Sequence, residues 1–174
     1  ELGGGIIGVT AVAGVIWHLA QDLPPLDLLQ GYQPSLVTTV YADDQQPIGQ
    51  FFIERRILTP LDNIPKTLTQ AVIATEDVRF FEHPGLDYIG ILRAAWTNIR
   101  HGGKKVEGAS TITQQLARAS FLTPRKTIHR KLQEIILASR IEHLYTKRQI
   151  LELYANRVYF GDGLWGVEAA SLGY

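Results

Sequence analysis

The sequence predicts a mainly α-helical domain that follows a membrane-spanning helix and a small β-hairpin. Residues 3–20 are apolar and carry no formal charge, which is typical of a membrane span. Residues 36–57 hold two runs rich in β-branched and aromatic side chains around a turn, and from Pro65 onward apolar side chains recur at helical spacing. The 174 residues contain no Cys, and 17 Lys and Arg balance 17 Asp and Glu. These counts favour one domain, exclude a disulfide framework and a thiolate metal site, and give no indication of a nucleic-acid partner.

The first predicted element is a membrane-spanning helix over residues 1–22, truncated at its start. At about 1.5 Å per residue, the apolar run from Gly3 to Ala20 gives a helix of roughly 27 Å, near the thickness of the hydrocarbon core. Trp17 lies at its far end, where an interfacial aromatic side chain is expected. Two alternatives stay open: a signal-peptide core, for which no cleavage site is obvious, and a buried core helix, which the glycines at positions 3–5 weaken. The chain also contains no Met, so we expect it to be a fragment or a processed product, and we expect the parent protein to be longer.

Residues 23–58 are predicted to form a linker and a β-hairpin. Pro24, Pro25 and Pro34 favour an extended linker. Residues 36–42 and 48–57 have the composition of strands, and the polar segment 43–47 is typical of the turn between them.

Residues 59–174 are predicted to form the helical domain, truncated at its end. Capping side chains, prolines and apolar spacing mark its helices. The predicted helices run approximately over Pro65–Glu76, Asp87–Arg100, Ser110–Phe121, Thr127–Leu144 and Lys147–Asn156, with a last one from Gly166. The positions expected to form apolar stripes are Leu68, Val72 and Ile73 in the first helix, Ile91, Leu92, Ala95 and Ile99 in the second, and Ile128, Leu132, Ile135, Ile136 and Ser139 in the fourth.

A cationic zone lies within this otherwise neutral chain. From Arg118 to Arg148 there are eight Lys and Arg side chains against two Glu, a local formal charge of +6. Such a zone favours an anionic ligand or membrane headgroups, and the alternative is a solvated helix face.

Glu76 is the first candidate for acid–base chemistry. It follows an apolar helix and lies near Phe80 and Phe81 in the sequence. A carboxylate against aromatic rings loses hydration, which favours its protonated form and suits a general base that works near neutral pH. The alternative is a helix-end Glu paired with Arg79. We expect the neighbouring Asp77 to act as a cap rather than a metal ligand.

A second group of polar side chains lies on two later helices. Arg130, Lys131 and Glu134 fall within an arc of about 100° on one helix, so all three can face one cleft. Glu134 would hold the two cations or, through a metal, bind a diphosphate, and the alternative is a surface salt bridge of about 0.2–0.5 kcal/mol. Ser110 is expected to cap a helix whose free N–H groups suit anions.

Five stretches of the chain together resemble the motifs of peptidoglycan glycosyltransferases, which are the transglycosylase domains of class A penicillin-binding proteins and of their monofunctional relatives. In chain order these stretches are Glu76–Gly85, Gly108–Gln115, Arg130–Glu134, Lys147–Asn156 and Gly166–Ala170. The resemblance implies a lysozyme-like fold and two catalytic carboxylates, Glu76 and Glu134. It implies substrate-binding roles for Arg93, Ser110, Thr111, Gln114, Gln115, Arg118, Arg125, Arg130, Lys131 and Lys147. For Lys147, a role in bracing the cleft is equally open.

The resemblance also implies a function, substrates and a location. The expected reaction joins lipid II units into glycan strands with inversion at the anomeric carbon and release of polyprenyl pyrophosphate, aided by a divalent metal (Mg²⁺ or Mn²⁺) and without a nucleotide. The expected location is the bacterial cytoplasmic membrane, with a single pass and the catalytic domain on its outer side. Lipid II, the growing strand, the membrane and other cell-wall synthesis and division proteins are the expected partners. The alternatives are a lysozyme-like hydrolase or lytic transglycosylase, which needs no cationic diphosphate site, and a non-catalytic scaffold.

Overall fold

The computed structural model describes Gly14 and residues 23–29, 38–51, 55–104, 106, 108–123, 125 and 127–174. Apart from Gly14, the predicted membrane-spanning helix over residues 1–22 therefore lies outside the described residues. Within the described part of the chain, no helix has the length and apolar character needed to cross a bilayer.

The predicted hairpin is present, but its second strand is shorter than expected. Strand β1 (Thr38–Tyr41) pairs antiparallel with β2 (Pro47–Phe51), with Thr38 opposite Phe51. After residues 52–54, which lie outside the described ranges, β3 (Arg55–Arg56) pairs in parallel with a strand near the end of the chain rather than continuing the hairpin.

Six helices make the described part of the chain mainly α, as predicted. They are α1 (Lys66–Glu76), α2 (Tyr88–Arg100), α3 (Ile112–Phe121), α4 (Ile128–Leu144), α5 (Lys147–Ala155) and α6 (Val167–Gly173). Side chains at the N-caps explain several of these boundaries, because Asp87, Thr127 and Thr146 each accept a hydrogen bond from a backbone N–H of the first turn.

The cap of α3 is Thr111, so the prediction that Ser110 caps this helix is wrong. The Thr111 hydroxyl accepts from the backbone N–H of Gln114 at 3.2 Å, and the Gln114 side chain accepts from the backbone N–H of Thr111 at 3.3 Å. This reciprocal pair is a capping box, which requires Gln or Glu three residues after the cap. Ser110 has Thr113 at that position, and its hydroxyl is left to bond elsewhere.

The main core lies where α3, α4 and α5 pack together. Its wholly buried apolar side chains include Phe80, Ile112, Leu116, Leu137, Ile141 and Ile150. The stripe predicted for α4 is wrong, since Ile128 is 83% exposed and Leu132 is 39% exposed. The buried stripe runs instead through Glu134, Leu137, Ala138 and Ile141. A pattern of apolar residues could not indicate this face because its first buried side chain is the carboxylate of Glu134.

The apolar side chains of α2 also lie differently from the prediction. Ile91, Leu92 and Ile99 are exposed, and the buried residues of this helix are Gly90 and Ala94. Helix α2 therefore turns small residues toward the rest of the chain and large apolar ones away from it. In α1, the expected packing holds for Val72 and Ile73, which pack against the core.

A small three-stranded sheet near the chain end was not predicted. Strands β4 (Tyr159–Gly161) and β5 (Leu164–Trp165) form an antiparallel pair, and β5 also pairs with β3. Gly166 follows directly with φ +83° and ψ 157°, a backbone conformation that is essentially restricted to glycine. A Cβ at this position would lie 2.9 Å from the carbonyl oxygen of Asn156.

We expect Gly166→Ala to destabilise the fold by about 2 kcal/mol or more, because strain at positive φ adds to a clash with backbone. Gly103→Ala is the matched control, since Gly103 has φ +78° but open space around its Cβ position. That variant should lose only about 1 kcal/mol. Urea unfolding of both variants checks the difference, and equal losses would show that the contact with Asn156 carries no cost.

Candidate active site

Glu76 is the last residue of α1, and its carboxylate is exposed. The side-chain amide of Gln115 donates from Nε2 to Glu76 Oε2 at 2.7 Å. The predicted desolvation by aromatic rings is not found, because Phe80 is buried in the core and Phe81 is 58% exposed. The predicted alternative is not found either, since Arg79 pairs with Asp87. In the free chain, Glu76 is an accessible carboxylate held by an amide.

The turn after Glu76 is fixed to the start of α3 by Asp77. This buried carboxylate accepts from the backbone N–H of Ile112 at 3.0 Å and pairs with His83 Nε2 at 2.9 Å. Asp77 therefore caps α3 from outside the helix, which supports the capping interpretation, and His83 holds the Asp77 carboxylate. As a result, the end of α1 that carries Glu76 and the helix that carries Gln115 are held together.

Glu134 is completely buried among cations. Its Oε1 lies 2.6 Å from Arg130 Nη1, and its Oε2 accepts from Lys131 Nζ at 3.0 Å. Both cations contact Glu134 as their spacing on α4 predicts, whereas the expectation that all three residues face one cleft stays a prediction. The surface salt bridge offered as the alternative is wrong, because the Glu134 side chain is 0% exposed.

Lys131 connects this group to the start of α3. Its Nζ also donates to Ser110 Oγ at 2.9 Å and to Gln114 Oε1 at 3.3 Å. The Ser110 hydroxyl that does not cap α3 thus binds the cation next to Glu134. Side chains from α3 and α4 form one polar cluster.

Beside this cluster lies a cavity of about 790 Å³ with cationic and aromatic walls. Its lining residues are Gln115, Leu116, Arg118, Ala119, Leu122, Arg130, Tyr154, Arg157, Val158, Tyr159 and Trp165. Three of these are arginines and none is Asp or Glu, so the charge of the lining favours an anionic ligand. The rings of Tyr159 and Trp165 lie 4.8 Å apart between centroids and add apolar surface.

Apart from Lys147, the predicted substrate-binding residues occupy four kinds of position. Gln115, Arg118 and Arg130 line the cavity, while Ser110 and Lys131 lie in the adjoining cluster. Thr111 and Gln114 are buried and serve the cap of α3. Arg93 lies on the exposed side of α2, and Arg125 is exposed between α3 and α4.

Lys147 makes the contacts of a brace. Its Nζ donates to Glu142 Oε1 at 2.8 Å and to the His83 carbonyl at 2.6 Å, and it lies 4.5 Å from the centre of the Phe80 ring. Thr113 donates to the same Glu142 oxygen at 2.5 Å. Of the two roles left open for Lys147, these contacts support the bracing role.

Sequence reasoning missed Tyr154, Arg157, Tyr159 and Trp165, which form one wall of the cavity. The mixture of aromatic and cationic side chains at the end of α5 and after it could have indicated a binding wall. The sequence could not show that these side chains lie near α3, because that contact depends on tertiary packing. The Tyr154 hydroxyl donates to Gln115 Oε1 at 3.3 Å. Burial and, to a smaller extent, the charge of Glu76 raise the pKa of Tyr154 to about 12, and Arg118 partly opposes both. Its hydroxyl is therefore a proton donor at neutral pH.

The described residues do not fit a metal ion held by the protein alone. Within the described ranges, no group of three or more His, Asp and Glu side chains is placed to hold one. Both oxygens of Glu134, the carboxylate predicted to assist a metal, are paired with cations.

Comparisons with known proteins identify a family for this chain. A family model described as Transglycosylase matches residues 44–174. Penicillin-binding protein 1A of Vibrio cholerae is 46% identical over 169 residues, which are 97% of this chain and 20% of that protein. Proteins of the same name are 43% identical over 169 residues in Escherichia coli K12 and 42% identical over 171 residues in Rickettsia prowazekii, again over 97% of this chain. The chain spans about a fifth of the length of these relatives, from 20% to 22%.

Proposed function

The chain belongs to the transglycosylase family, and from this we propose that it is a peptidoglycan glycosyltransferase that polymerises lipid II. One observation carries the proposal. Gln115 holds the accessible carboxylate of Glu76 and also lines the cavity that contains Arg118, Arg130 and Arg157. A candidate base and a candidate site for an anionic leaving group therefore share one side chain.

In the proposed reaction, Glu76 takes the proton of the acceptor's sugar hydroxyl. Gln115 fixes Glu76 Oε2, so we assign the proton transfer to Oε1. The hydroxyl oxygen attacks the anomeric carbon of the growing chain as the bond from that carbon to the diphosphate oxygen breaks, and the configuration inverts.

The diphosphate leaves with the electron pair of the broken bond. In the proposed step, Arg130 and Arg118, which line the cavity, and Lys131, which contacts Glu134, stabilise the negative charge that develops on the leaving oxygen. Glu134 holds Arg130 and Lys131 in fixed positions, so little reorganisation is needed when that charge appears. The divalent cation expected from the sequence, Mg²⁺ or Mn²⁺, stays a prediction, and the reaction requires no nucleotide.

We extend the same proposal to further features that the family resemblance implies. These are a lysozyme-like fold, a single membrane pass, a catalytic domain on the outer side of the cytoplasmic membrane, and partners among the proteins of cell-wall synthesis and division. The cationic cavity favours synthesis over hydrolysis, because a lysozyme-like hydrolase or lytic transglycosylase releases no diphosphate.

Incubating the purified protein with lipid II tests the proposal. We expect glycan strands and free polyprenyl pyrophosphate, without added nucleotide. A parallel incubation with isolated peptidoglycan separates the alternatives. Cleavage of that polymer without polymerisation of lipid II would identify a hydrolase or lytic enzyme, and the absence of both reactions in folded protein would identify a scaffold.

A further inference from the structure

We propose that Tyr154 is a positioning residue for Glu76 and acts through the side-chain amide of Gln115. The inference rests on the proposed function, in which Glu76 is the general base. It assigns to Tyr154 a role beyond core packing.

Three helices contribute one residue each to this chain of hydrogen bonds, which we call the relay. Tyr154 in α5 donates from its hydroxyl to Gln115 Oε1 at 3.3 Å, and Gln115 in α3 donates from Nε2 to Glu76 Oε2 at 2.7 Å. Glu76 ends α1. The contacts therefore connect an exposed carboxylate to a tyrosine that is only 6% exposed.

The order of donors and acceptors follows from the chemistry of the two ends. An ionised carboxylate accepts hydrogen bonds and donates none, so it requires the NH₂ end of the amide. The Tyr154 hydroxyl keeps its proton at neutral pH and supplies a donor to the carbonyl end. A flipped amide would place Gln115 Oε1 against the Glu76 carboxylate, where two acceptors repel. Tyr154 thus favours the amide orientation that holds the base.

The backbone of Gln115 and the ring of Tyr154 are held by other contacts, so the hydrogen bonds of the relay determine the position of the Glu76 carboxylate. The backbone N–H of Gln115 donates to the Thr111 carbonyl at 2.9 Å within α3. Tyr154 belongs to the core cluster that also contains Leu116. Glu76 has no such burial and lies at a helix end, where its side chain would otherwise sample several rotamers. Because general-base catalysis requires a positioned carboxylate, loss of the relay lowers the rate of the chemical step.

Tyr154→Phe is the test variant because it removes the hydroxyl and keeps the ring. We expect kcat on lipid II to fall about fivefold, which corresponds to one ordinary hydrogen bond, with KM and the thermal unfolding temperature nearly unchanged. Tyr145→Phe is the matched control, since it removes a phenol hydroxyl from another buried tyrosine of the same core. The control should keep wild-type kcat.

A double-mutant cycle with Gln115→Ala decides whether the effect passes through Gln115. If it does, Tyr154→Phe costs about fivefold in the wild-type background and nothing in the Gln115→Ala background. Equal losses in both backgrounds, or a raised KM with unchanged kcat, would overturn the proposal. Glu76→Gln is measured alongside. Wild-type turnover in that variant would overturn both the assignment of Glu76 as the base and the positioning role of Tyr154. If Glu76→Gln is inactive and Tyr154→Phe is unaffected, only the positioning role of Tyr154 is overturned.

Discussion

Glu76→Gln abolishes most polymerisation of lipid II, with an expected loss of about 10²–10⁴-fold in turnover and nearly intact binding of lipid II. The substitution removes the proton acceptor but keeps the size of the side chain. Since Glu76 is exposed and lies at a helix end, the fold should tolerate the change within about 0.5 kcal/mol. Turnover is measured with purified lipid II, and binding is measured in parallel.

Glu82→Gln is the matched control for this experiment. Glu82 is also exposed and lies six residues further along the chain, in the turn that follows α1. The same chemical change at this position should leave turnover at the wild-type level. If Glu76→Gln keeps wild-type turnover, Glu76 is not the base and the mechanism proposed above is wrong.

The helix boundaries were predictable because their signals are local. Asp87, Thr127 and Thr146 cap the helices that follow them, and each lies at or next to the predicted start of its helix. The relation of Arg130 and Lys131 to Glu134 was predictable for the same reason, since residues three and four apart share a helix face.

The direction in which a helix face points could not be derived from such signals. Helix α2 carries a stripe of large apolar residues, yet Gly90 and Ala94 are its buried residues. In α4, the buried face contains Glu134, whose burial depends on pairing with Arg130 and Lys131. Periodicity identifies a face but does not identify what packs against it.

Contacts between distant parts of the chain were also missed. Strand β3 is two residues long and pairs with β5 more than one hundred residues later, so neither strand has a local pattern. Tyr154 reaches Gln115 across 39 residues of sequence. The wall of the cavity depends on this long-range packing, which explains why the sequence indicated Glu76 and Glu134 as candidates but not the wall residues Tyr154, Arg157, Tyr159 and Trp165.

The second large effect is expected for Glu134→Gln, which should impair both the fold and the handling of the diphosphate. The neutral amide no longer compensates Arg130, which is 13% exposed and shares the cavity with Arg118 and Arg157. Breaking a buried ion pair in this way costs about 3–5 kcal/mol, and we expect about 3 kcal/mol because Lys131 is still 41% exposed. The affinity for lipid II and the turnover should fall together, unlike in Glu76→Gln, because Arg130 and Lys131 lose the group that fixes their positions.

Glu142→Gln separates the structural effect of Glu134→Gln from its effect on the ligand. The Glu142 side chain is also buried, at 8% exposure, and pairs with Lys147 at 2.8 Å, but it does not line the cavity. We expect urea unfolding to show a loss of stability in both variants. Below the unfolding transition, Glu142→Gln should keep the wild-type affinity for lipid II, whereas Glu134→Gln should not. Equal affinities in the two folded variants would mean that Glu134 acts only on the fold, and that the cations bind the diphosphate without its help.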